Sequence, residues 1–376
     1  MNFKIVHIIS SLDVGGCEKV LFNLLSFDKS QKTRTLVISL NLKGYYRKKL
    51  IESGFEVLSL NLKEKKFLSI FLFIKSIINF KPDIIQGWMY HGNLFALFAK
   101  FLLFKKTNLF WNIRQTLYDV NLEKSSTKFV IFICKIFSKF PTKILANSRV
   151  SILQHIKYGY ADNFQLIING VDINNFKIDN NLGSLFRKKF GISENADCIG
   201  LIARYHPMKD HNFFIENILK VVTNNNIVPV IVGKDIVKQK NKIFQLVPNE
   251  LVSKFILVDE YEDINEVLNS LNLICITSRW GEGMSNILIE AMSTGLNCIS
   301  SKIGDNKHLI NNFGSTYTVG DEITFVSLLN KHISKATDYK KRSMDTRNHI
   351  IKNYSLTLMF QKYFEIYNST NQIDDQ

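Results

Sequence analysis

Apolar and polar positions alternate along this chain in two rhythms. Short apolar runs of strand length, such as residues 4–10 (KIVHIIS), 35–40 and 83–88, are followed by stretches in which apolar residues recur at helical spacing, such as 45–53, 67–80 and 93–103. Further strands are predicted at 55–60, 108–114 and 143–146, and further helices at 20–25 and 126–138. Strand–helix alternation implies a parallel sheet covered on both faces, with ligands bound beyond the carboxyl ends of the strands. The polar stretch 179–183 (DNNLG) reads as a linker, and a helix is expected at 185–190. A second series follows, with strands at 198–203, 228–232, 255–258, 273–277 and 297–300 and helices at 264–270 and around Glu290. The prediction is an α/β protein of two Rossmann-like domains facing across a central cleft, at 1–175 and 176–352. Residues 353–376 carry Met359, Phe360, Tyr363, Phe364 and Tyr367 at helical spacing. They read as a packing helix that returns toward the first domain.

Residues 278–295 (SRWGEGMSNILIEAMSTG) break the pattern in a way that points to chemistry. The chain turns on Gly281 and Gly283 and enters a helix that Ser285 or Asn286 can cap and Gly295 can end. That helix is apolar almost all round (Ile287, Leu288, Ile289, Ala291, Met292), so burial is expected. Glu290 sits in its middle, and a buried carboxylate needs a partner. Glu282 lies eight positions earlier, in the glycine turn. A strand, a loop with free backbone N–H groups, a helix N-terminus and two carboxylates make a layout for an anionic, hydroxyl-rich ligand. Glutamates eight apart are common by chance, so the context and not the spacing carries the point.

Two more stretches add to it. Arg204-Tyr-His-Pro-Met-Lys209 follows the second series' first strand and sets a planar guanidinium and a point charge beside each other, a pairing that suits a diphosphate. Gly15-Gly16 follows the first strand of the chain and makes a strand–turn–helix unit for close approach to phosphate, without the dinucleotide Gly-x-Gly-x-x-Gly. Polar clusters close three other strands: Trp88-Met-Tyr-His91 with Asn93, Asn112-Ile-Arg114, and Asn147-Ser-Arg149.

Charge and composition narrow the classes. The net charge is +15, yet the basic residues form no tail or isolated basic helix, so nucleic acid is not an expected partner. Many lysines are interleaved with Phe, Ile and Leu in 63–80, 95–106 and 128–139. That mixture suits an anionic membrane surface, and equally helices packed on a sheet with lysines reaching outward. The apolar runs are too short and too interrupted to span a bilayer, and the start lacks a signal-peptide layout. The expected location is cytoplasmic, with the inner membrane face as the candidate peripheral site. The five cysteines are scattered and the eight histidines dispersed, so reduced core thiols and no metal site are expected.

Taken in order, these motifs resemble glycosyltransferases of the GT-B fold, in glycosyltransferase family 4, the group 1 transferases. The resemblance runs through nearly the whole chain: Gly15-Gly16-x-Glu18, Trp88-Met-Tyr-His91, Trp111-Asn-Ile-Arg114, Asn147-Ser148, Ile168-Asn-Gly-Val-Asp172, Arg204-x4-Lys209, Asp263, Glu282-Gly-Met-Ser-Asn286 through Glu290-Ala-Met, and Gly304-Asp-Asn306. It implies retaining transfer of a sugar from a UDP- or GDP-linked donor to a glycan or polyprenyl-linked glycan, in bacterial surface polysaccharide synthesis, with no cofactor or metal. It implies that Arg204 and Lys209 hold the donor diphosphate with the amides of Gly283, Met284, Ser285 and Asn286. Glu290 would hold the ribose, Glu282 the sugar at the reacting centre, Gly16 the diphosphate, and His91 the donor sugar. Gly15, Tyr90, Asn93 and Arg114 are the acceptor-side candidates. Departures are Lys307-His308 where a glutamate is usual, Val232-Gly233-Lys234-Asp235 in place of Gly-x-Gly, and Ser285 in place of proline. The competing classes are a nucleotide-sugar epimerase of the same fold and a non-catalytic membrane- or glycan-binding scaffold.

Overall fold

A computed structural model describes residues 3–103, 106–222, 226–334 and 343–372. The chain divides into two compact units, Met1–Gly170 with Leu356–Gln376, and Val171–Ser355.

The first unit is a seven-stranded, all-parallel sheet in the order β3-β2-β1-β4-β5-β6-β7. Its strands are β1 (Ile5–Ile9), β2 (Thr35–Ser39), β3 (Glu56–Ser59), β4 (Ile84–Trp88), β5 (Asn108–Ile113), β6 (Lys143–Ala146) and β7 (Phe164–Leu166). The central strands β1 and β4 are buried at every position. Helices α3 (Lys66–Phe80), α4 (Met89–Phe101) and α5 (Ser125–Phe137) share one core with one face of the sheet, through Phe73, Ile77, Ala96, Leu97 and Ile131. Helices α1 (Gly16–Phe27) and α2 (Tyr45–Glu52) and the C-terminal helix Leu356–Gln372 pack into a second core. The C-terminal helix contributes Met359, Tyr363 and Tyr367, a four-residue spacing that keeps one helical face inward. The two tyrosine hydroxyls reach polar side chains of β4 and β5 and just beyond: Asn112 Nδ2 donates to Tyr363 at 2.6 Å, Arg114 Nη2 also donates to it, and Tyr367 donates to Gln86.

The second unit has six parallel strands in the order β10-β9-β8-β11-β12-β13. They are β8 (Asp197–Ile202), β9 (Ile227–Val232), β10 (Ile256–Val258), β11 (Leu273–Ile276), β12 (Asn297–Ser301) and β13 (Ser315–Tyr317). Helices α8 (His211–Val222) and α13 (Glu322–Ser334) pack together, α7 (Asn180–Lys189) packs on α10 (Ile264–Ser270), and α9 (Lys240–Phe244) and α12 (Asn306–Ile310) are short. Each unit is thus Rossmann-like, the architecture of the GT-B class.

Several boundaries move from the sequence expectation. The unit boundary falls at 170/171 and not at 175/176, and the chain returns to the first unit at Leu356. Residues 179–183 are no linker: Asp179 caps α7, its carboxylate accepting from the N–H groups of Asn181 and Leu182. Helix α6 (Arg149–Tyr158), capped by Ser148, and the short β7 were not anticipated. β7 has only three residues, and α6 buries only Ser151 and His155. Helix α4 begins at Met89, straight from the end of β4, whereas α1 begins at Gly16, after a loop that follows β1.

Candidate functional site

In both units the strand order reverses between two central neighbours, β1 and β4 in the first and β8 and β11 in the second. The loops leaving such strands diverge to opposite faces and open a crevice at the carboxyl edge. The chemistry-bearing motifs leave these four strands. Gly15-Gly16 follows β1, His91 follows β4, Arg204 to Lys209 follow β8, and Glu282 to Glu290 follow β11.

In the second unit the loops after β8 and β11 are tied together. Pro207–Lys209 forms a single tight turn that His206 caps through Nδ1, accepting from Met208 N–H at 3.2 Å. Thr277 Oγ1 donates to Lys209 O at 2.8 Å, and Arg279 N–H donates to Met208 O at 2.8 Å. These bonds fix Lys209 so that its ammonium meets the Glu282 carboxylate in an ion pair, with side chains only 18% and 12% exposed. Ser278 Oγ donates to the same Glu282 oxygen at 3.1 Å. Burial would raise the Glu282 pKa, but the attraction and hydrogen bond of Lys209, the Ser278 hydroxyl and the nearby Arg204 outweigh it and hold it below the usual glutamate value. Arg204 itself stands exposed at the end of β8.

Helix α11 (Asn286–Ser293) starts directly behind this pair. Ser285 is its first flanking residue but does not cap it with its side chain. Instead Ser285 N–H donates to Asn306 Oδ1 at 3.2 Å, and Asn306 Nδ2 donates to Ser300 Oγ at 3.1 Å. Asp305 N–H donates to Gly283 O at 2.9 Å. This gives Gly304-Asp-Asn306 a role that sequence left blank: it braces the glutamate loop from below. Gly304 must be glycine, because its φ is +52° and a Cβ would lie 2.2 Å from Gly283 O. Glu290 is 5% exposed, one turn into α11. The far end of α11 is held by Arg347, whose guanidinium donates to Ser293 O at 2.6 Å and to Phe176 O at 2.8 Å.

The departures from the family pattern cost this site little. Lys307 and His308 are both exposed. Gly233 alone makes the close approach to Ala203 O, with φ +152°, and Asp235 takes the left-handed conformation (φ +65°) where a second glycine would be expected.

In the first unit the candidates separate. Gly16 is exposed as the first residue of α1, and Gly15 is partly so. His91 is half-buried at the start of α4, and burial lowers its pKa, which favours the neutral imidazole. Gly87 and Gly92 let α4 lie against the sheet, since a Cβ at either would strike Asn93 or Ile8 backbone at 2.5 and 2.4 Å. Three acceptor-side candidates do not reach that edge as free groups. Tyr90 is buried, its hydroxyl 2.9 Å from His155 Nε2. Asn93 is fully buried and accepts from Asn112 N–H at 3.2 Å. Arg114 is engaged by Asn169 and Tyr363 and stacks over Trp88 at 5.5 Å. The physical reason is the helix itself: successive side chains turn by about 100°, so Tyr90 and Asn93 point inward when His91 points out.

Among the described residues, no group of three or more His, Cys, Asp or Glu is placed to hold a metal ion. No described helix is long and apolar enough to cross a membrane.

Comparison with known proteins finds similar sequences and structures. Residues 184–354 match the sequence model of glycosyl transferases group 1. A curated relative from Escherichia coli is the UDP-Gal:alpha-D-GlcNAc-diphosphoundecaprenol alpha-1,3-galactosyltransferase. It is 29% identical over 223 residues, which are 56% of this chain and 56% of the relative, so the alignment spans little more than half of that protein. Among solved structures, Anabaena Alr3699/HepE in complex with UDP-glucose superposes with a TM-score of 0.85 at 19% identity, covering 98% of this chain and 100% of that one. A glycosyltransferase from Rickettsia africae superposes with a TM-score of 0.81 at 19% identity, covering 98% and 99%. At such identities these structures bear on the fold.

Proposed function

We infer that this chain, a group 1 glycosyltransferase of the GT-B fold, moves a sugar from a nucleoside diphosphate donor to a glycan carried on a lipid diphosphate. The observation that carries the reading is the second unit's switch point, where Lys209 and Glu282 are paired beside the α11 N-terminus with Glu290 buried one turn further on. The donor diphosphate takes Arg204, Lys209 and the amides of Gly283, Met284, Ser285 and Asn286. Glu290 accepts from the ribose hydroxyls, and Glu282 binds the hydroxyls of the sugar. A UDP donor is favoured because HepE is seen with UDP-glucose and the Escherichia coli relative is named for UDP-Gal. That relative is also named for a diphosphoundecaprenol-linked acceptor, which supports a polyprenyl-linked glycan and a role in surface polysaccharide assembly.

The reaction assigned to this site is transfer with retention, as in glycosyltransferase family 4. The bond from the anomeric carbon to the diphosphate oxygen breaks, and a bond to the acceptor hydroxyl oxygen forms on the same face. The acceptor's proton passes to the departing diphosphate oxygen, so no separate nucleophile is used. Fixed cations and amides aimed at the oxygen where charge develops lower that barrier. The same groups meet the leaving group's charge, and the reading takes no resident cofactor or metal. In the first unit Gly15, Gly16 and His91 stay candidates by their place at the edge of the sheet; Tyr90, Asn93 and Arg114 are assigned to its internal packing.

The test is a thermal-shift screen with UDP, GDP and their common sugar conjugates, with Glu290→Ala as control. A ligand of the folded state raises the melting temperature. A UDP-linked sugar should stabilise the native chain and not the variant. With a donor identified, Lys209→Ala and Glu290→Ala should each lower turnover by about two orders of magnitude or more. Native rates in both variants would overturn the assignment, and donor isomerisation without an acceptor would replace transferase with epimerase.

A further inference from the structure

The first unit carries a surface that the reaction does not use. Helices α3, α4 and α5 share one core, in which the ring of Phe73 on α3 meets those of Phe95 and Phe98 on α4 with centroids 5.4 and 5.9 Å apart. A helix layer on a parallel sheet should turn a polar face outward. This layer turns phenylalanines outward. Phe67 is 92% exposed and Phe71 61% on α3, Phe101 59% on α4, and Phe129 65% and Phe132 44% on α5. Phe67 and Phe71 are four residues apart and Phe129 and Phe132 three, so each pair lies on one face of its helix. Between α3 and α4 an apolar groove of about 210 Å³ opens, lined by Ile70, Leu94, Phe95 and Phe98.

The charge on these helices has one sign. They hold Lys66, Lys75, Lys100, Lys128 and Lys135 and no aspartate or glutamate. Lys66 and Lys75 are exposed, and Lys135 lies over the Phe132 ring at 4.9 Å. The acidic residues nearest in sequence, Glu64 and Glu123, stand outside the helices. Aromatic side chains with cations and no anions fit an interface where hydrocarbon is covered by anionic headgroups. Scattered apolar residues elsewhere, such as Ile323, have no such setting.

We propose that the α3–α4–α5 layer is a docking surface for an anionic lipid bilayer, with its phenylalanines in the headgroup–acyl boundary and the α3–α4 groove taking lipid hydrocarbon. The proposal deepens the lipid-linked acceptor of the preceding reading and rests on it for its purpose, but its test needs no donor. The full chain is sedimented with vesicles of phosphatidylcholine alone and of phosphatidylcholine with phosphatidylglycerol. It should partition onto the anionic vesicles only, and less so at high salt. The double substitution Phe67→Glu/Phe71→Glu should lower the partition coefficient by about tenfold or more. Lys66→Glu/Lys75→Glu should lower it similarly, and Ile323→Glu should leave it unchanged. All these side chains are exposed, so melting temperatures should match the native chain. Failure to bind anionic vesicles, or native binding by the Phe67→Glu/Phe71→Glu chain, overturns the proposal. So does a lipid-free dimer that the same substitution dissociates, which would make the surface a contact between copies. Vesicle binding without nucleotide stabilisation would uphold the surface and remove the transferase reading.

Discussion

Glu282→Gln tests the site most sharply, because its two expected effects have opposite signs. In the structure the Lys209 ammonium is already occupied by a carboxylate, with Ser278 supporting the pair. A diphosphate that takes Lys209 must displace Glu282, which is then released toward the sugar. Exposed ion pairs contribute about 0–1 kcal/mol, and losing one partner of a buried pair costs about 3–5. With side chains 18% and 12% exposed, the loss in Glu282→Gln should fall between, at about 2 kcal/mol. For a unit of this size that lowers the melting temperature by about 4–8 °C. The same substitution frees Lys209 and removes a negative charge facing the diphosphate. UDP should therefore bind about ten- to thirtyfold more tightly, the equivalent of 1.4–2 kcal/mol. Turnover of the nucleotide-sugar should nonetheless fall by about tenfold or more, since the contact to the sugar hydroxyls proposed for Glu282 is lost. The pH dependence has a defined sign. Lys209 and its neighbours hold Glu282 below its ordinary 4.5 despite burial, so the pair's stabilisation is full above that value and is lost as pH falls through the lower native one. The stability gap between native and variant chains should stay constant near neutrality and close only under acid. Titration calorimetry with UDP and melting curves read all of this. UDP affinity unchanged or weakened in a folded Glu282→Gln chain would refute the displacement argument.

Three further predictions follow from other parts of the chain. Gly304→Ala should abolish nucleotide-dependent stabilisation while far-ultraviolet circular dichroism stays native, because a Cβ there lies 2.2 Å from Gly283 O and 2.3 Å from Glu282 O; an undiminished nucleotide response would remove the brace. Tyr363→Phe should cost the first unit about 2 kcal/mol, since the Asn112 amide and Arg114 guanidinium both lose their acceptor, and denaturant unfolding measures it. Burial lowers His7, His155 and His211 from 6.5 to about 3, 4 and 4. Protons then go to the unfolded chain first, so this stability is full above 6.5 and is lost as pH falls toward the native values, at about 1.4 kcal/mol per pH unit for each histidine; a flat denaturant midpoint from pH 6.5 to about 5 would contradict it.

What the sequence revealed and what it hid divide along a physical line. Strand edges were legible because buried parallel strands are largely apolar runs, as β11 (Leu-Ile-Cys-Ile) is throughout. The burial of Glu290 was legible because it sits in a helix that is otherwise apolar almost all round, and a charge that conflicts with its surroundings in this way is what makes it a site candidate. Side-chain direction was not legible at His91. Residues 88–93 read as one polar cluster, but a helix that starts at Met89 turns Tyr90 and Asn93 into the core and leaves His91 at the edge. Nor was the support of the glutamate loop. Gly304, Asp305 and Asn306 act on Gly283 and Ser285 across about twenty residues of chain, a contact that exists only once β11 and β12 pair in parallel register. The docking surface shows the reverse case. The interleaved lysines and phenylalanines at 63–80 and 128–139 fit a packed layer and a membrane face equally well as sequence. The structure adds what the proposed docking surface rests on: the core of that layer is filled by Phe73, Ile77 and Ile131 while Phe67, Phe71 and Phe129 remain outside it. Phenylalanines left outside a filled core, among lysines and no carboxylates on the same helices, are what the vesicle experiment puts to the test.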